Sequence, residues 1–494
     1  MTQDKPWSGR TGVRTFSLVV VLFLVLSWVN VKPGDDAVRS SGGGESVVDD
    51  ATVEETAAGE AVGGDTGLPT ADGAVVAQGQ EATPAQKAQQ AARATEAAGL
   101  ECRAGKNGGN TAKGVSATKI KLATTAVLDG QARSLLADSV TGMKAVVDKV
   151  NREGGICGRL LDLTVVNDSF NDNDGLRILR NFMEEDYFAL PVVPSAEGLG
   201  AAIGGGWISR AAIPAVGTDG MREEQYRDPW VWPVASATVT AMRVMAKYGK
   251  EQKGAKTFAI VWDQKYKFGR EGKDAFRKQV EALGGTVVAD QPLDPDQSSY
   301  ATEANDFNKS CGDAKCDMVA MLLLPATAEK WLARHPTLGA KYTSGAQTLF
   351  TDAFAQRCVQ AAGSSCHGIA VWTGYNPPIG PLANKPGVAA YIDDVRALNP
   401  TIDVNNQFLQ GAYLGMSVFV EALKRVGPQL TRERLRDVMD SMTFETDLAS
   451  TLTWRKGNHA ANVRSQSFSL VVSQGSFTGW RDEGTGFLAD PAAG

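Results

Sequence analysis

The stretch Gly363-Ser364-Ser365-Cys366-His367-Gly368 comes closest to a nucleophilic site by residue type. A hydroxyl, a thiol and an imidazole stand together there, but the spacing departs from the G-x-S-x-G turn that exposes a nucleophile above a parallel sheet. Gly204-Gly205-Gly206-Trp207 lacks the lysine and hydroxyl of a phosphate loop and the glycine spacing of a dinucleotide fingerprint. Such runs serve more simply as tight helix contacts or turns. His335, His367 and His459 are scattered, whereas a metal site needs clustered soft ligands and well-spaced histidines. No group of residues is assembled for acid–base chemistry, so neither an enzyme nor a cofactor is expected.

Other residues suit binding. Pro194-Ser195-Ala196-Glu197-Gly198 falls between an apolar strand pattern and a helical one. Backbone N–H groups at a helix start, together with the Ser195 hydroxyl, suit an anion such as a carboxylate. From its local sequence alone, Ser195 reads first as a helix cap. Asp219, before Gly220, is either a turn residue or a ligand contact.

The elements that would position these loops repeat one pattern. The apolar run from Ile120 to Leu128 leads through Asp129-Gly130 into a segment with apolar residues at Val140, Met143, Val146, Val147 and Val150. Gly154-Gly155 closes that helix, and the alternating strand Leu161-Asp162-Leu163-Thr164-Val165 follows. This is a βαβ unit with parallel strands and a right-handed crossover. Ligands of such sheets bind at the carboxyl ends of the strands. The alternation continues with a helix from Leu176 to Met183, a buried strand Phe188–Val193, a helix from Leu199 to Ile208 and a strand Ile213–Val216. Pro229–Val234 reads as an extended crossing, after which strands at Phe258–Trp262, Thr286–Val288 and Met318–Leu324 alternate with helices. Two α/β copies joined by extended segments make two lobes with a cleft between them.

The same residues carry a family resemblance. Ile120-Lys121-Leu122, then Asn151-Arg152-Glu153-Gly154-Gly155-Ile156-Cys157-Gly158, then Asn167-Asp168-Ser169, in that order, resembles the opening of the leucine/isoleucine/valine-type (type I) periplasmic binding proteins. The resemblance covers nearly everything after about Val115. It implies a two-lobed fold of two doubly wound parallel sheets joined by a multi-segment hinge. It also implies a non-enzymatic receptor that closes on a small amino-acid-like or amide solute and delivers it to an ABC permease. Further crossings are then expected near Trp372–Asn376 and Leu452–Trp454. Lobe one is expected over residues 115–234 and 375–452, and lobe two over 235–374 and 453–494.

By that resemblance the Ser195-Ala196 loop holds a ligand carboxylate, and Gly217-Thr218-Asp219 is a second ligand loop. Asp263-Gln264-Lys265-Tyr266-Lys267-Phe268-Gly269 is similar to the aromatic-glycine motif that covers the ligand. Phe268 stands where a tyrosine is common, and Tyr266 is the other candidate for a hydroxyl contact. Phe350-Thr351-Asp352 resembles the strand end whose acid neutralises a ligand ammonium, which makes Asp352 the preferred counter-ion.

Composition and targeting agree with export. The net charge of −6 over 494 residues, with no basic stripe, argues against nucleic acid as a partner. Residues 16–31, FSLVVVLFLVLSWVNV, are almost wholly apolar and follow Lys5, Arg10 and Arg14. This orientation keeps residues 1–15 in the cytoplasm and exports the rest. No small-x-small cleavage site and no lipid-attachment cysteine follows the run, so an uncleaved transmembrane signal anchor in the cell membrane is expected over a cleaved signal peptide. Residues 32–114 contain too little apolar bulk to order themselves and read as a flexible extracellular linker with a coil reach of roughly 50 Å. Within it, Thr83-Pro84 and the alanine-rich run that follows have the signals of a solvated helix.

Cys102, Cys157, Cys311, Cys316, Cys358 and Cys366 make an even set suited to an oxidising compartment. Proximity favours Cys311 with Cys316 and Cys358 with Cys366, leaving Cys102 for Cys157, although sequence alone permits other connectivities. A membrane-anchored sensor or structural surface protein with the same fold is the alternative to a transport receptor.

Overall fold

The computed structural model describes residues 99–491 except 236, 313–314, 335–339 and 460–463. The expected anchor at 16–31, most of the linker, its alanine-rich helix and His335 therefore lie outside the described residues. Among the described residues, no helix is long and apolar enough to cross a membrane.

The opening unit consists of β1 (Lys119–Ala126), the short α1 (Arg133–Leu136), α2 (Ser139–Arg152) and β2 (Leu160–Asn167). β1 and β2 run parallel, with Ile120 opposite Leu161 and Thr125 opposite Val166. Met143, Val146, Val147 and Val150 face the core from α2, as their helical spacing requires. At the exit of α2, Gly155 has φ +77°, and a Cβ there would lie 2.1 Å from the Arg159 carbonyl oxygen. Only glycine fits that turn.

The lobe continues through α3 (Asp172–Glu184), α4 (Ala196–Gly204), α5 (Trp207–Ala211), β3 (Ala215–Thr218) and β4 (Val231–Pro233). The buried segment 188–193 lies between β1 and β3. Its Phe188 N–H donates to the Lys121 carbonyl at 2.8 Å, and its Val192 N–H to that of Val216 at 2.8 Å. It is not a regular strand, because Val192 and Val193 take φ +66° and +41°. That region is costly for a β-branched residue. Residues 229–234, expected as a crossing, instead supply β4, which pairs parallel with β3. Pro233 is tolerated there because it ends an edge strand. The crossing follows it.

The second lobe contains α6 (Thr238–Glu251), β5 (Thr257–Asp263), α7 (Lys267–Ala282), β6 (Thr286–Leu293), α8 (Ala301–Cys311), β7 (Cys316–Leu322), α9 (Pro325–Arg334), β8 (Ala340–Gly345), α10 (Asp352–Ala362) and β9 (Ala370–Thr373). Next come α11 (Pro386–Leu398), α12 (Gln407–Val426), α13 (Arg432–Met439) and the small antiparallel pair β10 (Thr443–Phe444) and β11 (Leu452–Thr453), which return to the first core. β12 (Gln466–Ser473) and β13 (Ser476–Asp482) close the second sheet, whose order is β13-β12-β9-β8-β7-β5-β6. Five of these strands are parallel. The β12–β13 hairpin is antiparallel, so the second sheet is mixed rather than wholly parallel.

One apolar core gathers β1 to β4 with α11 to α13, and another lies beneath the second sheet, around Phe307, Trp331, Phe354 and Phe468. A third joins the lobes, bringing Val127, Leu135 and Phe170 against Met242, Phe268 and Trp372. At the crossings, the Gln466 amide donates to the Tyr375 carbonyl at 2.7 Å, and the Gln410 amide to that of Asn376 at 2.6 Å. The cysteines pair as Cys102–Cys157, Cys311–Cys316 and Cys358–Cys366. Cys366 is thus unavailable as a nucleophile, and His367 Nδ1 accepts the Val472 N–H at 3.0 Å.

Candidate functional site

Loops at the ends of β3, β8 and β9 converge with the start of α12 on a cavity between the lobes. With the lobes in this arrangement it is nearly closed, a cavity of about 30 Å³. Val192, Pro194, Gly217, Asp219 and Met221 line it from the first lobe, and Gln347 and Trp372 from the second. Tyr375, at a crossing, and Phe408, at the start of α12, complete an aromatic wall.

Asp219 is the charged group of this lining. Its Oδ1 accepts the Met221 N–H at 3.1 Å and the Gln225 amide at 2.9 Å, while Oδ2 is buried without a hydrogen-bond partner. Burial pushes its carboxyl up to about 7, held back by the Gln225 amide and, more weakly, by Arg222. Asp219 is therefore both the turn residue and a cavity residue. The Gln347 amide donates to Thr238 Oγ1 at 3.2 Å, and its Oε1 is likewise buried without a partner. Gly217 takes φ +81°, and its α-carbon meets the α12 backbone at Gly415 so closely that neither residue has room for a Cβ.

The other expected contacts sit around the cavity rather than in its lining. Ser195 is the N-cap residue of α4 and fully buried, but its side chain caps no N–H group of that helix. With the Thr125 hydroxyl it lies toward the Asp168 carboxyl, which burial pushes up. Ala196 packs in the interlobe apolar cluster. The Thr218 hydroxyl is taken by Gln225 Oε1, 2.6 Å away. Tyr266 and Phe268 belong to an interlobe aromatic cluster outside the lining: Phe170 of the first lobe lies 5.1 Å from Tyr266, which stacks on Phe268 at 5.7 Å between ring centroids.

The buried Arg222 guanidinium contacts Glu197 at 3.3 Å, Glu271 at 3.6 Å and Glu224. Lys267 reaches Glu224 and Glu271 at 3.3 Å each. Glu197 is pushed up by burial against the pull of Arg222.

Asp352, expected as the counter-ion, is not at the cavity. It opens α10, where its Oδ1 accepts the Trp480 indole N–H at 2.7 Å and the Asn405 amide at 3.1 Å. Both donors are structural, and they occupy the carboxylate that the ligand was expected to use.

Of the eight expected residues, Gly217 and Asp219 line the cavity. The sequence reasoning missed Gln347, Trp372, Tyr375 and Phe408. Gln347 had a legible signal, since it follows a parallel strand at its carboxyl end. Trp372 and Tyr375 fall inside an expected crossing, and a crossing necessarily borders the cleft. Among the described residues, no cluster of three or more His, Cys, Asp or Glu is arranged to hold a metal ion.

Residues 119–475 match the family model described as periplasmic binding protein. With most of its length matched, the chain belongs to that family, a class of solute-binding proteins rather than enzymes. No curated protein sequence matches it. Among solved structures it is similar to a fatty acid ABC transporter substrate-binding protein from Thermomonospora curvata, at 15% identity and a TM-score of 0.63, covering 77% of this chain and 93% of that one. A solute-binding protein of an ABC transporter from Rhodopseudomonas palustris, in complex with 3,4-dihydroxybenzoic acid, matches at 13% identity and a TM-score of 0.63, covering 76% and 99%. The branched-chain amino acid transporter substrate-binding protein of Streptococcus pneumoniae, in complex with isoleucine, matches at 15% identity and a TM-score of 0.60, covering 74% and 99%. At these identities the likeness establishes the two-lobed fold.

Proposed function

We propose that this protein is the extracellular solute receptor of an ABC importer, tethered to the cell membrane by residues 16–31 and a linker reaching to about residue 114. The domain is read as lobe one over 115–234 and 375–452, and lobe two over 235–374 and 453–494. A small solute enters between the lobes, and the closed shape is what an ABC permease receives. One observation carries this reading: a cavity lined from both lobes contains buried side-chain polar atoms without partners, between the aromatic rings of Trp372, Tyr375 and Phe408. Buried polar groups are almost always satisfied, so a cavity that leaves them unmet is suited to a ligand.

Family membership and the likeness to transporter-associated structures support a transport role. The test is a thermal-shift screen of the full chain against amino acids, amides, carboxylates and amines. A solute at 100 times its Kd stabilises the protein by about 2.7 kcal/mol. A screen in which no class stabilises the protein would favour a structural role on the cell surface.

A further inference from the structure

Three features of the cavity bear on which solute it takes. First, the unpartnered side-chain polar atoms of its described lining, Asp219 Oδ2 from one lobe and Gln347 Oε1 from the other, are both hydrogen-bond acceptors. Second, among the described residues its lining includes an acid but no Lys, Arg or His. Third, Trp372, Tyr375 and Phe408 give it aromatic walls. A carboxylate solute would bring further acceptors and a negative charge into a space with no cation to receive them, and burying such a group unpaired is costly. An N–H-rich cation would meet all three features, through a charge-assisted hydrogen bond to the carboxylate, a bond to the amide oxygen and attraction to the aromatic faces.

We propose that the solute of this cavity is an organic ammonium or amidinium with an apolar body, its N–H groups donating to Asp219 and Gln347. This rests on the cavity being the solute site, and it separates the chain from the structural neighbours whose descriptions name benzoate-type, fatty-acid or amino-acid ligands. The near-neutral titration of Asp219 adds a pH dependence. The groups facing it are Gln225, Arg222, Glu197, Tyr226 and Tyr375, and burial outweighs them. A cation binds the ionised form, so affinity falls as the pH drops through about 7.

The experiment is calorimetry on the full chain with benzylamine and benzamidine, against benzoate and leucine as shape-matched carboxylate and zwitterion. Expected are binding of at least one of the two cations, at least tenfold weaker binding of benzoate and leucine, and at least a tenfold loss of cation affinity in both Asp219→Asn and Gln347→Leu. Two variants on different lobes guard against a folding defect in either, and circular dichroism checks each. Benzoate or leucine binding as tightly as the cations would overturn this inference while leaving the solute-receptor reading intact, as would unchanged cation affinity in Asp219→Asn. No binding by any of the four, with none in the broader screen, would overturn both.

Discussion

Gly217 and Gly415 give the sharpest test of how the cavity is built. Adding a methyl group to Gly217 puts a Cβ 2.4 Å from the Gly415 carbonyl oxygen and 2.5 Å from its α-carbon, at φ +81°. The left-handed backbone costs an alanine about 1–2 kcal/mol, and overpacking adds about 1–3 kcal/mol. Gly217→Ala should therefore lose about 2–5 kcal/mol. The two contributions can be separated. Gly154 has φ +94° and open space, with nothing within 4 Å of where a Cβ would stand, so Gly154→Ala isolates the dihedral cost of about 1–2 kcal/mol. Gly415 lies inside α12, where its Cβ would fall 2.2 Å from the Gly217 carbonyl oxygen. Gly415→Ala thus carries the overlap, offset by about 1 kcal/mol of helix propensity. The assay is urea denaturation followed by tryptophan fluorescence, with shifts in midpoint read at constant slope. If Gly217→Ala costs no more than Gly154→Ala, the close approach of strand end and helix is not a constraint, and the account of Gly217 as a packing residue fails.

Three further outcomes concern buried charge and the covalent link to the linker. Burial raises the carboxyls of Asp219 and Asp263 to about 7, and burial together with the neighbouring Asp352 charge raises that of Asp403 to about 6. Their stabilising share is complete below the unfolded carboxylate range and lost as pH rises through about 6 to 7, so thermal midpoints should fall between pH 5 and 8, with a flatter profile in Asp263→Asn. Replacing both Cys102 and Cys157 with serine opens a 55-residue loop and should cost about 4 kcal/mol in the chain-entropy account, measured by denaturant unfolding. Arg159 is wholly buried and donates to the carbonyls of Ser116 at 2.8 Å, Gly109 at 3.1 Å and Pro428 at 3.2 Å. Arg159→Leu strands these acceptors at about 1–3 kcal/mol each and should lower the midpoint more than any surface arginine substitution does.

Sequence periodicity made the α/β alternation legible because each element buries one face and shows it in its spacing. The stripe Met143, Val146, Val147, Val150 and the glycine exit at Gly155 are where the pattern put them. Failures came where tertiary contacts overrode local pattern. The segment 188–193 is apolar enough for a buried strand, yet left-handed valines break its ladder, which no propensity indicates. Residues 229–234 read as a crossing because prolines bracket them, but an edge strand accommodates a terminal proline. The site was harder still. Asp219 directly follows β3, and Asp352 opens α10 a few residues after β8, and their local sequences do not reveal which acid is already satisfied. The donors that occupy Asp352, Asn405 and Trp480, lie 53 and 128 residues away.

That difference in partners also accounts for how the cavity can respond to a solute. The lobes meet through an apolar seal and the ion pairs of Arg222 with Glu271 and Lys267 with Glu224, and neither involves the cavity's acceptors. Asp219 Oδ2 and Gln347 Oε1 are left buried and unmet when the lobes are together. Each such atom costs about 1–3 kcal/mol relative to one that water can reach. A solute that donates to both atoms removes a penalty belonging to the closed arrangement, whereas one that binds a single lobe does not. A ligand shifts a conformational equilibrium only by its difference in affinity for the two states. The roughly 2–6 kcal/mol held by these two acceptors is therefore the energy through which binding would favour closure.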